Sequence, residues 1–139
     1  MRVTPLQMAM VSAAVANGGE RMKPYLVESV RDQDLEVVTR SEPVSLGEAV
    51  SPTTAAALRD MMTQVVAEGT GRAARIEGVQ VAGKTGTAQT TDEAAPHAWF
   101  TAFAPADDPQ VAVAVIVENG GNAGNEATGG AVAAPIARA

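Results

Sequence analysis

From Val79 to Val117 the chain carries three β-patterned runs whose connectors are too short to hold a crossover helix. Val79 and Val81 open the first run, Trp99, Thr101 and Phe103 alternate in the second, and Val111 to Val117 is a nearly continuous apolar run between Pro109 and Gly120. The connectors at 90–96 and 104–109 suit antiparallel neighbours, and the first is long enough to fold as a flap over a sheet edge. Helix signals frame these strands. Thr4-Pro5-Leu6-Gln7 places a capping hydroxyl before a proline, with a glutamine to complete a capping box. Leu6, Met10, Ala13, Ala14 and Asn17 then recur at helical spacing up to Gly18-Gly19, which predicts a helix over 5–17. Ser51-Pro52 repeats the signal, and Leu58, Met61, Met62, Val65 and Val66 predict a second helix over 52–68, stopped at Gly69. Between the helices, residues 25–30 and 35–39 flank the polar run Arg31-Asp32-Gln33-Asp34 and predict a surface hairpin. The alanine-rich stretch 127–139 predicts a last helix weakened by Gly129, Gly130 and Pro135. The fold class that follows is α/β (α+β), an antiparallel sheet flanked by helices in one domain.

Composition narrows the chemistry. The 139 residues are 46% hydrophobic but only 3% aromatic, so the core must be built from small side chains that let helix and sheet approach closely. A formal net charge of -6 with no lysine- or arginine-rich run excludes a nucleic-acid surface, because phosphate contacts need clustered positive charge. The absence of cysteine excludes disulfides, thiol catalysis and cysteine-ligated metals. A single histidine, His97, without clustered carboxylates argues against a metal site, and no cofactor is implied. His97 is read as a strand-start residue. No apolar run approaches the roughly 20 residues that span a bilayer, and Met1-Arg2-Val3-Thr4-Pro5 lacks the apolar stretch of a secretory signal. Any membrane anchor or export signal is expected outside these residues.

The segment that carries chemistry is Val81-Ala82-Gly83-Lys84-Thr85-Gly86-Thr87-Ala88-Gln89. On a strand, side chains at 85 and 87 point to the same face, so two hydroxyls can converge on one carboxylate beside the Lys84 ammonium. Gly86 removes the side chain between them, which permits close approach of a ligand backbone and a local twist that turns Lys84 into a cleft. The same residues also satisfy a rival pattern: Gly78, four residues, then Gly83-Lys84-Thr85, the letters of a nucleotide-binding phosphate loop. That loop needs a flexible turn whose lysine opens a helix. Here Val79-Gln80-Val81-Ala82 is β-patterned, and Gly86-Thr87-Ala88-Gln89-Thr90-Thr91 is a poor helix start.

Lys84-Thr85-Gly86 resembles the K-T-G element of penicillin-binding proteins and serine β-lactamases. The likeness extends to Thr4-Pro5-Leu6-Gln7-Met8-Ala9, Asn17-Gly18-Gly19, Gly69-Thr70-Gly71, Gly83 to Gln89, and His97-Ala98-Trp99-Phe100 running on to Phe103-Ala104-Pro105. It covers most of the chain and is most similar to the monofunctional, membrane-anchored (class B) transpeptidases of cell-wall synthesis. The resemblance implies a serine enzyme that attacks the D-alanyl-D-alanine end of a peptidoglycan stem peptide, forms an acyl-enzyme, and passes the acyl group to a neighbouring strand's amine. β-Lactam antibiotics mimic that substrate. By the same resemblance, Lys84 raises the positive potential of the cleft and helps manage protons. Thr85 and Thr87 bind the substrate or antibiotic carboxylate around Gly86, and the backbone N–H of Thr87 supplies half of the oxyanion hole.

None of Ser12, Ser29, Ser41, Ser45 and Ser51 is followed three residues later by lysine, and no S-x-N element occurs. In the family both elements precede the Thr4-Pro5 helix, so residues 1–139 are expected to be the carboxy-terminal portion of a transpeptidase domain. Alone, the chain is expected to form no acyl-enzyme, and exposed apolar surface with poor solubility is expected of it. A non-catalytic module that binds D-alanyl-D-alanine is the other reading that keeps the motif. Implied partners are the stem peptide, β-lactams and, through the parent protein, other cell-wall synthesis proteins; the implied location of the parent is the extracytoplasmic face of the plasma membrane. Among the remaining features, Trp99 and Phe103 are read as core residues on one strand face, Gly69-Thr70-Gly71 as a helix-ending turn, and residues 119–125 as a polar surface loop.

Overall fold

The computed structural model describes residues 3–91 and 94–139. In chain order the elements are α1 (Pro5–Ala16), β1 (Glu20–Met22), β2 (Ser29–Arg31), β3 (Val37–Arg40), β4 (Ser45–Glu48), α2 (Pro52–Ala67), β5 (Ala82–Ala88), β6 (His97–Ala104), β7 (Val111–Val117) and α3 (Ala134–Arg138). The first helix starts as its sequence dictates. Thr4 N–H donates to Gln7 Oε1 at 2.8 Å while Gln7 N–H donates to Thr4 Oγ1 at 3.2 Å, a reciprocal capping box. It stops at Asn17, and Gly18 and Gly19 take left-handed φ of 64° and 97°. The second helix opens on the Ser51 cap and Pro52.

The sheet that organises the fold has strand order β5-β6-β7, antiparallel throughout. Its register pairs Gly83 with Ala102, Thr85 with Phe100 and Thr87 with Ala98; across the second seam Phe100 faces Val115 and Ala102 faces Val113. Directly paired residues share a face, so Phe100, Ala102, Val113 and Val115 form one apolar side. Val66, Ala74, Val81, Ala133 and Ala134 close over it. The opposite side carries Ala82 and Phe103, covered by Val15 and Ala16 of α1 and by Met62. Helix α1 is also fastened to the middle of β6: the buried Ser12 hydroxyl lies 2.5 Å from Thr101 Oγ1, which itself lies 3.1 Å from the carbonyl of Val113. Helix α2 contributes Met62 to one side and Val66 to the other, bridging the two packed layers at the start of β5.

Several expectations change. Trp99 was expected to share the core with Phe103, yet Trp99 is half-buried while Phe100, on the other face, is fully buried. Both faces of β6 are covered, so alternation along it does not separate inside from outside. The first strand begins at Ala82 rather than at Val79, which instead forms an isolated bridge with Ile76. The hairpin is present but shorter, since its first strand is only Ser29–Arg31. A further pair, β1 with β4, joins Glu20 to Glu48 and Met22 to Ser45. The closing helix is largely replaced by a π turn over Gly129–Ala133, and only Ala134–Arg138 is α-helical. The flap expected over 90–96 includes Asp92 and Glu93, which lie outside the described residues. The expected exposed apolar surface is present: Leu26 is fully exposed, and Leu6, Val11 and Met61 are each more than half exposed.

Gly83 shows how tightly the first strand sits on this core. A Cβ built there would lie 2.5 Å from Cζ of the fully buried Phe100 ring. Gly83→Ala is expected to lower the unfolding free energy by about 1–3 kcal/mol in urea titration; unchanged stability would show that the ring can move aside.

Candidate active site

Lys84, Thr85, Gly86 and Thr87 occupy the middle of β5, which pairs with β6 on one side and with no other strand among the described residues. The register sets Thr85 and Thr87 on the face of Phe100 and Ala98, while Lys84 pairs with Thr101 and Gly86 with Trp99 on the other. Lys84 and Thr87 are exposed and Thr85 is half-buried. Two hydroxyls thus lie two residues apart on one face, next to an ammonium group whose Nζ donates to the carbonyl of Thr85 at 2.6 Å. The lysine is curled back along its own strand.

The strand is backed from two distant parts of the sequence. Thr70, in the turn after α2, places its Oγ1 2.7 Å from Thr85 Oγ1. Gly129 and Gly130, in the π turn, lie against the same stretch. A Cβ on Gly129 would come within 2.1 Å of the Trp99 carbonyl and 2.7 Å of the Gly86 carbonyl, and one on Gly130 within 2.2 Å of the Thr70 carbonyl. Only glycine fits at either position, because the obstacle is backbone. The Gly69-Thr70-Gly71 segment does end a helix, as read from the sequence, and it also reaches the motif. No local signal could reveal this, since the contact spans 15 residues.

His97 begins β6, as expected, pairs with Ala88 at the end of the motif strand, and accepts the Asn119 N–H at its Nδ1 at 2.9 Å. The polar 119–125 segment is a run of tight turns within Glu118–Glu126, with left-handed φ at Asn119, Gly120, Gly121 and Gly124.

A nucleotide-type phosphate loop requires its lysine at the opening of a helix. Lys84 is instead the third residue of a seven-residue strand, and the next regular element is another strand.

Comparison with known proteins gives the family. The sequence profile described as the penicillin binding protein transpeptidase domain matches residues 1–139. The chain belongs to the penicillin-binding protein transpeptidase family. It is 54% identical to the peptidoglycan D,D-transpeptidase PbpA of Mycolicibacterium smegmatis over 99% of its length, and 40% identical to the stage V sporulation protein D of Bacillus subtilis over 96%. It spans 28% of the first relative and 21% of the second, and so represents part of a transpeptidase domain protein. Among solved structures, penicillin-binding protein A from M. tuberculosis, captured as a ceftriaxone acyl-enzyme, superposes with a TM-score of 0.91 at 46% identity, covering 98% of this chain and 31% of that one. The penicillin-binding protein fold expected from the sequence is therefore the fold observed.

The strand setting of Lys84 predicts that the chain binds no magnesium ATP. Calorimetric titration should give no saturable heat, and saturable binding abolished by Lys84→Ala would contradict the assignment.

Proposed function

We propose that residues 1–139 form the carboxy-terminal portion of a peptidoglycan D,D-transpeptidase domain and supply one wall of its acyl-transfer cleft. The observation that carries this reading is the pair of hydroxyls, Thr85 and Thr87, on one face of a strand that also bears Lys84. A terminal carboxylate takes several hydrogen bonds at once, and charge-assisted bonds to it are the strong ones. Thr85 and Thr87 supply two donors, and Lys84 supplies the positive potential that draws the anion in. The ligands are the D-alanyl-D-alanine end of a stem peptide and the β-lactams that imitate it.

The reaction needs a serine that none of these 139 residues provides in an S-x-x-K setting. In the complete domain the serine oxygen attacks the carbonyl carbon of the penultimate D-alanine, the terminal D-alanine departs as the free amino acid, and an ester links peptide to enzyme. The amine of a neighbouring strand then attacks that ester, restoring the serine hydroxyl. The backbone N–H of Thr87 serves the oxyanion that forms in each addition. Lys84 assists proton movement and steadies the developing negative charge. The family's work in peptidoglycan synthesis supports a parent protein that acts at the extracytoplasmic face of the plasma membrane, and the protein partners we propose for it are other cell-wall synthesis proteins. No helix among the described residues is long and apolar enough to cross a membrane.

Labelling with fluorescent penicillin tests the assignment. The 139-residue chain alone should take no covalent label, and in the complete domain Lys84→Ala should slow acylation by about 10²-fold or more. A covalent adduct on the isolated chain, or an unaffected rate in the variant, would contradict it. Reversible capture of D-alanyl-D-alanine peptides by a complete protein that never acylates would favour the non-catalytic reading.

A further inference from the structure

We propose that Thr70 is a positioning residue for carboxylate recognition, directing the hydroxyl proton of Thr85 toward the ligand. The proposal rests on the reading of Thr85 as a carboxylate donor.

A threonine hydroxyl has one proton and two acceptor lone pairs, and rotates freely about its C–O bond unless a partner fixes it. A Thr85 hydroxyl that spends its proton elsewhere turns only oxygen toward an anion and repels it. Among the described residues, the Thr85 side chain has one hydrogen-bond partner, Thr70 Oγ1 at 2.7 Å. Either oxygen can donate in the free protein. Once a carboxylate arrives, one arrangement satisfies all three groups: Thr70 donates to Thr85, and Thr85 donates to the anion. The chain of bonds polarises along its length, so the bond to the charged end is strengthened by the neutral one behind it.

The geometry that holds Thr70 in place is independent of the hydroxyls. Thr70 sits between Gly69 and Gly71, and a Cβ on either would press on Val65, at 2.9 Å from its carbonyl oxygen for Gly69 and 3.2 Å for Gly71. From the other side the backbone of Gly130 leaves no room for a methyl group beside the Thr70 carbonyl, at 2.2 Å, while a methyl there would sit a comfortable 3.6 Å from Thr85 Cγ2. Thr70 is therefore clamped between the end of α2 and the π turn, with its hydroxyl aimed at the motif strand. A methyl on Gly130 therefore clashes with Thr70 while making only an ordinary contact with Thr85.

The test is the second-order acylation rate of the complete transpeptidase carrying this sequence, measured with benzylpenicillin and with its methyl ester. The ratio of the two rates reads carboxylate recognition and cancels general loss of active enzyme. Thr70→Val should lower that ratio about tenfold, and Thr70→Ser should keep it within about twofold of the parent. Gly130→Ala, which displaces Thr70 while retaining its hydroxyl, should lower the ratio in the same direction. Thr85→Val serves as the reference. If Thr85→Val lowers the ratio and Thr70→Val does not, the positioning role is wrong and the reading of Thr85 stands. If Thr85→Val leaves the ratio unchanged, the reading of Thr85 fails and the proposal falls with it. Equal slowing of acid and ester by Thr70→Val would mean a purely structural role, and a Thr70→Ser variant as impaired as Thr70→Val would show that the hydroxyl is not what matters.

Discussion

The seam between β5 and β6 is the contact on which the rest of the molecule depends. Seven consecutive residue pairs, from Ala82 with Phe103 to Ala88 with His97, fix which face each motif residue occupies. A slip of one residue would turn Thr85 and Thr87 to the opposite face and bring Lys84 to theirs. Register is held where both faces are buried, and here both are. The Phe100 ring lies beneath Gly83 on one side, while Phe103 and Ala82 pack against α1 and Met62 on the other. The small-residue composition serves this arrangement directly, since Gly71 and Gly83 lie against the Phe100 ring and Ala82, Ala106 and Ala16 cluster with Phe103.

The exposed half of the motif strand, from Lys84 onward, has less core beneath it and is secured differently. Thr70 reaches Thr85 from the end of α2, and Gly129 approaches Gly86 and Trp99 from the π turn. Two stretches far apart in sequence therefore converge on Thr85 and Gly86. Such support gives a binding strand the fixed geometry that anion recognition needs, because hydroxyl donors that must be reorganised on binding lose part of their advantage.

Much of this was legible in the residues. The capping hydroxyls at Thr4 and Ser51, each followed by proline, located both long helices to within a residue at either end. Val111 to Val117, bounded by proline and glycine, marked β7 without error. The letters from Gly78 to Thr85 fitted two unrelated machines, and the β pattern around them chose between those correctly. What escaped the sequence has physical causes. Strands β1 and β4 are exposed along their whole length and carry no alternation to read. The end of the chain looked helical by composition, but Gly129 and Gly130 must press against the backbones of Trp99, Gly86 and Thr70, and that close approach accompanies a π turn in place of regular helix. Phe100 was hidden as a core residue because β6 carries aromatic side chains on both faces, and alternation alone does not say which face is covered more deeply. Thr70 was legible only as part of a helix-ending turn, because its partner Thr85 is reached through the tertiary fold.

In the function we propose, Thr85 and Thr87 together grip the carboxylate of a bound β-lactam. A crystal structure of the complete domain as its benzylpenicillin acyl-enzyme tests this most directly. The account predicts both threonine hydroxyls within about 2.5–3.0 Å of the antibiotic's carboxylate oxygens. A carboxylate held by other residues, with both hydroxyls beyond hydrogen-bond reach, would contradict it.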